Sequence, residues 1–211
     1  MPKKEVPIDQ LQNYLPPETG DAVTTYLHQY KVHLTITKER KSILGDYRHR
    51  TYHANHRISI NGNLNKFSFL ITILHELAHL LTFEQHNNKV KAHGREWKMI
   101  FGQLLKQFVA HKVFPADIER ELLQSLQNPA ASSCAEVDLL RVLRKYDLKG
   151  NHLRLIEELP VNTLFQIKGG RVFQKGEKLR KRFKCKEIAT GKLYLFSPVY
   201  EVEYLNLGSR V

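Results

Sequence analysis

The sequence predicts an α+β protein: a helical domain with a small mixed sheet, followed by a small antiparallel β module. Three observations carry this. The stretch from Lys66 to Phe83 is apolar almost all round, which marks a buried central helix. Short alternating runs rich in β-branched residues precede it. After Gly150 the texture changes to brief strand-like runs divided by glycines.

The elements follow in order. Residues 8–32 read as helix, broken at Pro16-Pro17, with Asp21 as a candidate cap for the second part. Val32–Thr37 alternates and reads as a strand. Gly45-Asp46 is a turn signal, with strand candidates at Tyr47–Tyr52 and His56–Ile60 behind it. Asn65 is a plausible N-cap for the apolar helix, which at 1.5 Å per residue is about 27 Å long. Glu84–His93 reads as a polar loop, and Gly94 opens an amphipathic helix through Phe108. Pro115 breaks it, a short helix covers Ile118–Leu126, and another spans Glu136–Tyr146. Residues 128–134 form the best linker candidate. Strand-like runs then lie at 153–156, 164–167, 171–173, 182–185, 192–196 and 200–204. The expected division is 1–127 as the first domain, 128–149 as linker and helix, and 150–211 as a basic β module.

Composition narrows the class. Of 211 residues, 42% are hydrophobic and 26% charged, a globular balance. No apolar run approaches the roughly 20 residues of a membrane helix, and the N-terminus shows no secretory pattern. Cys134 and Cys185 cannot build a disulfide scaffold or a four-cysteine zinc ribbon. A reducing cytoplasm is the expected compartment, nucleoid-associated if the chain binds DNA. The net charge of +12 favours polyanionic partners. Its densest run holds Lys168, Arg171, Lys175, Lys178, Arg180, Lys181, Arg182, Lys184 and Lys186 against the single acid Glu177. That run serves either as a nucleic-acid contact or as a solvated face. Phe165, Phe173 and Phe183, interleaved with it, suit either stacking on unpaired bases or a sheet core.

His75-Glu76-Leu77-Ala78-His79 carries the chemistry. Positions four apart share one helical face, so both imidazoles can reach one metal ion. Glu76 is offset by one residue and can reach a water beside the metal without ligating it. This is the H-E-x-x-H arrangement of zinc peptidases. Burying two imidazoles and a carboxylate in an apolar helix is costly unless partners satisfy them, and a metal does so directly. Catalytic zinc takes three protein ligands and keeps one position open. His93, just before Gly94, is the best third ligand; His86 and Glu96 are the competitors. His49, His53 and His56 are candidates to line the cleft.

These residues resemble a known family. His75-Glu76-Leu77-Ala78-His79 followed by His93-Gly94-Arg95-Glu96-Trp97 is similar to the SprT-like (Spartan-type) metallopeptidase domain. Leu44-Gly45-Asp46-Tyr47 resembles the family's strand ahead of the metal helix, and Ile58–Asn61 its next strand; the likeness covers roughly residues 20–115. The resemblance implies a zincin-like fold with one catalytic Zn2+. It implies His75, His79 and His93 as ligands, Glu76 as catalytic base, and proteolysis of DNA-associated or DNA-crosslinked proteins. Many members also carry a four-cysteine zinc ribbon, so residues 150–211 would replace it or descend from it. Tyr47, Arg48 and His53 are candidate transition-state stabilisers, and Glu84 and Glu96 candidates to orient the histidines. The expected partners are a protein substrate and DNA, single-stranded or damaged. Two other readings compete: a nucleic-acid-binding regulatory protein with a vestigial metal site, and a peptidase unrelated to DNA.

Overall fold

The computed structural model describes residues 8–40, 43–126, 136–147 and 153–205. It divides into two compact units, Met1–Leu148 and Lys149–Val211. The linker candidate at 128–134 and Cys134 lie outside the described residues.

The first unit opens with a 3-10 turn at Ile8–Tyr14 and helix α1 at Gly20–Gln29. The break falls where the two prolines require it. Asp21 lies inside the first turn of α1 instead of capping it. Thr19 holds the cap position, with its hydroxyl turned back to the Pro16 carbonyl. Strands β1 (His33–Thr37), β2 (Gly45–Arg48) and β3 (Arg57–Asn61) form a mixed sheet in the order β1-β3-β2. β1 runs parallel to β3 and β2 antiparallel to it. β2 is therefore an edge strand.

Gly45-Asp46 belongs to β2 and is not the expected turn. A Cβ on Gly45 would stand 2.5 Å from Glu76 Oε1 and 2.8 Å from Thr72 Cγ2. The glycine permits close approach of strand to helix, one of the two meanings an isolated strand glycine carries.

Helix α2 (Lys66–His86) runs through the core and extends three residues past Phe83, into the expected loop. The Asn65 side chain accepts the Ser68 N–H at 2.9 Å, as an N-cap does. The same side chain donates to the Leu143 carbonyl at 3.0 Å and to Asp147 Oδ1 at 2.7 Å. By length and composition Lys66–Lys89 is apolar enough to cross a membrane, which the sequence reading did not anticipate, yet 72% of that window is buried inside the fold. Helices α3 (Arg95–Ala110), α4 (Ala116–Ser125) and α5 (Val137–Arg144) complete the unit. Leu139, Val142 and Leu143 of α5 join the same core as α2, so this helix is part of the first unit and not of a separate linker.

The second unit is a six-stranded antiparallel sheet. Its strands are β4 (Leu153–Leu155), β5 (Leu164–Gln166), β6 (Val172–Leu179), β7 (Arg182–Glu187), β8 (Leu193–Phe196) and β9 (Glu201–Tyr204), in the order β4-β9-β5-β6-β7-β8. Phe165, Phe173, Phe183 and Phe196 pack in its core with Cys185. The interleaved phenylalanines are thus core residues and offer no face for base stacking. β6 continues through Gly176, expected as a separator, where the register shifts between Lys175 and Lys178. A Cβ there would meet the Lys184 carbonyl oxygen, so only glycine lets the two strands close.

Candidate metal centre

Helix periodicity sets the first two candidate ligands. His75 and His79 project from one face of α2, one turn apart, with Nε2 atoms 3.2 Å from each other. His93 precedes α3 and brings its Nε2 to 3.4 Å from that of His75. Gly94 caps α3 with an ordinary backbone angle, φ −72°. Its value lies in space rather than in a left-handed turn, since a Cβ would stand 3.1 Å from the Lys91 carbonyl.

A tetrahedral zinc with Zn–N bonds near 2.0–2.1 Å separates its nitrogens by about 3.3–3.4 Å. The two separations, 3.2 and 3.4 Å, bracket that value. All three histidines offer ligand atoms within 4.8 Å of one another. Burial pushes His75 down to about 3 and His79 down to about 4, and lowers His93, with each neighbouring imidazole adding to the effect on His75. Neutral imidazole is the form that ligates. The donor set therefore fits a zinc ion. His86 and Glu96 lie outside this cluster. Glu96 stays in the first turn of α3 with its carboxylate beside Gly94, the position a helix dipole favours.

Trp97 forms the floor. Its indole lies 4.7 Å from the rings of His75 and His93 and 5.3 Å from that of His79. Trp97 Nε1 and His75 Nδ1 are both buried without a protein partner. Phe101 stacks beneath the tryptophan at 4.9 Å.

Glu76 is 4% exposed and lines the same cleft as the three histidines, a cavity of ≈ 890 Å³. Burial, reinforced by Asp46 and opposed by Arg40, pushes its carboxyl up to about 8. Arg40 itself clamps β3, donating to Asn61 Oδ1 at 2.8 Å and Ser59 Oγ at 2.9 Å. Asp46 and Trp97 stood in the sequence only as parts of the motifs that carry the resemblance, and Arg40 carried no signal, because the role of each comes through a contact that only folding creates.

Of the candidate stabilisers, Tyr47 and Arg48 line the cleft. His53 does not. It is exposed and packs edge-on against the fully exposed Tyr52. Glu84 does not support the three clustered histidines either; its carboxylate lies 3.3 Å from His56 Nε2 and 3.2 Å from Arg50 Nε.

In the second unit, Lys168, Arg171, Lys178, Arg180, Lys181, Arg182, Lys184 and Lys186 are exposed. Lys175 is 3% exposed, and its ammonium is bound to the Leu159 carbonyl and lies 4.2 Å from the Phe183 ring centre. That removes it from the candidate polyanion contacts. Arg171 is paired with Glu187 at 2.7 Å and rests over the rings of Phe173 and Tyr194.

No curated protein and no solved structure matched the chain. Residues 18–120 match the sequence model of the SprT-like family, which is generally metallopeptidase-like and typically zinc-associated. This region includes all three clustered histidines and Glu76. Over residues 18–120 the chain is therefore similar to the SprT-like family.

Proposed function

We propose that the first unit is a zinc-dependent endopeptidase domain of zincin type. One observation carries the reading: three imidazoles, with the Nε2 of His75 at 3.2 and 3.4 Å from those of His79 and His93 and all three ligand atoms within 4.8 Å of one another, share a cleft with a buried carboxylate. Zinc, when bound by His75, His79 and His93, would polarise a scissile carbonyl and bring the pKa of a water toward about 7.

The chain's own groups do the rest. Glu76 takes a proton from the attacking water at a carboxylate oxygen and later gives it to the leaving amine. Its high proton affinity suits the second role, and a nearby divalent charge favours the carboxylate needed for the first. Arg48 lines the cleft with its Nε paired to Asp46 at 3.1 Å, and the rest of its largely exposed guanidinium is the cationic group we assign to the developing oxyanion.

The substrates we propose are proteins associated with or crosslinked to DNA in the cytoplasm, with single-stranded or damaged DNA preferred. Support comes from Arg182, Lys184 and Lys186, which alternate along the exposed face of β7. Phosphate contacts of this kind weaken steeply with salt.

The deciding experiment uses casein, an unstructured protein, as substrate with and without DNA. Glu76→Gln keeps its zinc and loses cleavage by about 10²-fold or more. Cleavage retained by that variant rejects the assigned base. Zinc binding by the wild type with no cleavage under any condition favours a regulatory protein with a vestigial site.

A further inference from the structure

His56 is 2% exposed and belongs to no motif. Its Nδ1 receives two contacts. The Arg50 backbone N–H donates to it at 3.3 Å, and the Tyr47 hydroxyl lies 2.8 Å away. A backbone N–H can only donate, so Nδ1 carries a lone pair. The proton of the neutral imidazole then sits on Nε2, which faces the Glu84 carboxylate at 3.3 Å. Burial favours that neutral form more than Glu84 opposes it.

The phenol's role follows. Beside an acceptor nitrogen, Tyr47 must donate, and its single proton is committed to His56. Burial and the Glu84 charge hold the phenol's proton affinity well above the ordinary value, so it stays a hydroxyl. What remains on the oxygen is lone-pair density. Tyr47 lines the cleft and stacks parallel to His79, rings 6.4 Å apart. A group that hydrogen-bonds to Tyr47 from the cleft must therefore be a donor, and along a peptide the donor is a backbone N–H.

We infer that Glu84 and His56 hold Tyr47 as a hydrogen-bond acceptor for a backbone N–H of the substrate, with His56 as the positioning residue. This rests on the peptidase reading above. It sets Tyr47 apart from an oxyanion stabiliser, which must donate. An acceptor for the ground-state peptide acts on binding, whereas an oxyanion donor acts on the chemical step.

Steady-state cleavage of casein separates the two. Tyr47→Phe raises KM about fivefold and leaves kcat within about twofold, as loss of one neutral hydrogen bond implies. His56→Leu has a similar effect, and combining it with Tyr47→Phe adds little. His56→Asn, whose Oδ1 can accept from both Tyr47 and Arg50, recovers most of the lost KM. A drop in kcat of tenfold or more in Tyr47→Phe at unchanged KM overturns the inference, as do independent, multiplying effects of the two substitutions. Nitrogen–proton correlation NMR of the zinc-loaded wild type reads the His56 tautomer without any variant or activity. A proton on Nε2 with Nδ1 accepting supports the assignment, and a proton on Nδ1 overturns it. If the wild type cleaves nothing, the peptidase reading fails while the tautomer still decides how Tyr47 is held.

Discussion

Gly45 of the edge strand β2 and Glu76 of helix α2 approach so closely that a Cβ on the glycine would stand 2.5 Å from Glu76 Oε1. The backbone of β2 is thus one wall of the carboxylate's site, and this edge of the sheet lines the cleft that holds the three histidines.

Gly45→Ala consequently forces either β2 or Glu76 to move. Overpacking of this kind costs about 1–3 kcal/mol. Because the three imidazoles lie on α2 and before α3, zinc content is retained while kcat for casein falls by at least about tenfold, since small misplacements of a catalytic group have effects of that order. Urea unfolding, metal analysis and kinetics on the one variant check all three parts. Unchanged kcat with an unchanged midpoint contradicts the contact.

Trp97 is the chain's single tryptophan and touches all three imidazoles. Its fluorescence therefore reports zinc directly. Titration of metal-free protein changes the emission with a break at one zinc per chain, and His93→Ala abolishes or weakens that break by at least about tenfold in affinity. An emission that ignores zinc, while metal analysis finds it bound, places the ion elsewhere.

The metal-free fold should be acid-sensitive. His75 and His79 have folded values of about 3 and about 4 against an ordinary 6.5. Depressed values mean that the unfolded chain takes up protons first as pH falls, so stability drops with pH. From about pH 6.5 the loss is up to about 1.4 kcal/mol per pH unit for each histidine, ending near pH 4 for His79 and near pH 3 for His75, while Glu76, pushed up to about 8 and so protonated first in the fold, offsets part of it down to about pH 4.5. Saturating zinc adds stability by mass action above that window and loses hold within it, because protons compete for the same nitrogens. Thermal melts of chelated and zinc-loaded protein check this. A chelated protein whose Tm is flat from about pH 6.5 to about pH 5 speaks against the burial of these imidazoles.

The basic module separates surface charge from core charge. Lys184→Ala with Lys186→Ala lowers the salt slope of DNA binding by about two, at about 0.9 per phosphate contact. Lys175→Met leaves that slope unchanged, since its ammonium is buried against the Leu159 carbonyl. Titrations at several salt concentrations decide it. An unaltered slope in the double variant removes the exposed face of β7 from the interface.

The parts legible in the sequence are those written in local periodicity. The apolar helix, its Asn65 cap, the i,i+4 histidines and the short strands of the module all follow from patterns within one element. The expected third ligand also joins the cluster, because a histidine just ahead of a helix that packs on α2 can reach back to it. What was not legible depends on close approach or on burial in three dimensions. Gly45 reads as a turn residue until Glu76 is seen against it. Lys175 reads as one more cation in a basic run until the β6–β7 pairing turns it inward beside Phe183. Glu84 reads as support for the metal site, but its place near the end of α2 brings it to His56 and Arg50 instead.

Zinc stoichiometry of wild type and His93→Ala, measured after exhaustive dialysis against a weak chelator, tests the central claim most directly. One zinc per wild-type chain, with loss of that zinc from a still-folded His93→Ala, is the expected outcome. A wild type that holds no zinc, or a His93→Ala protein that keeps it as tightly, contradicts the three-histidine centre.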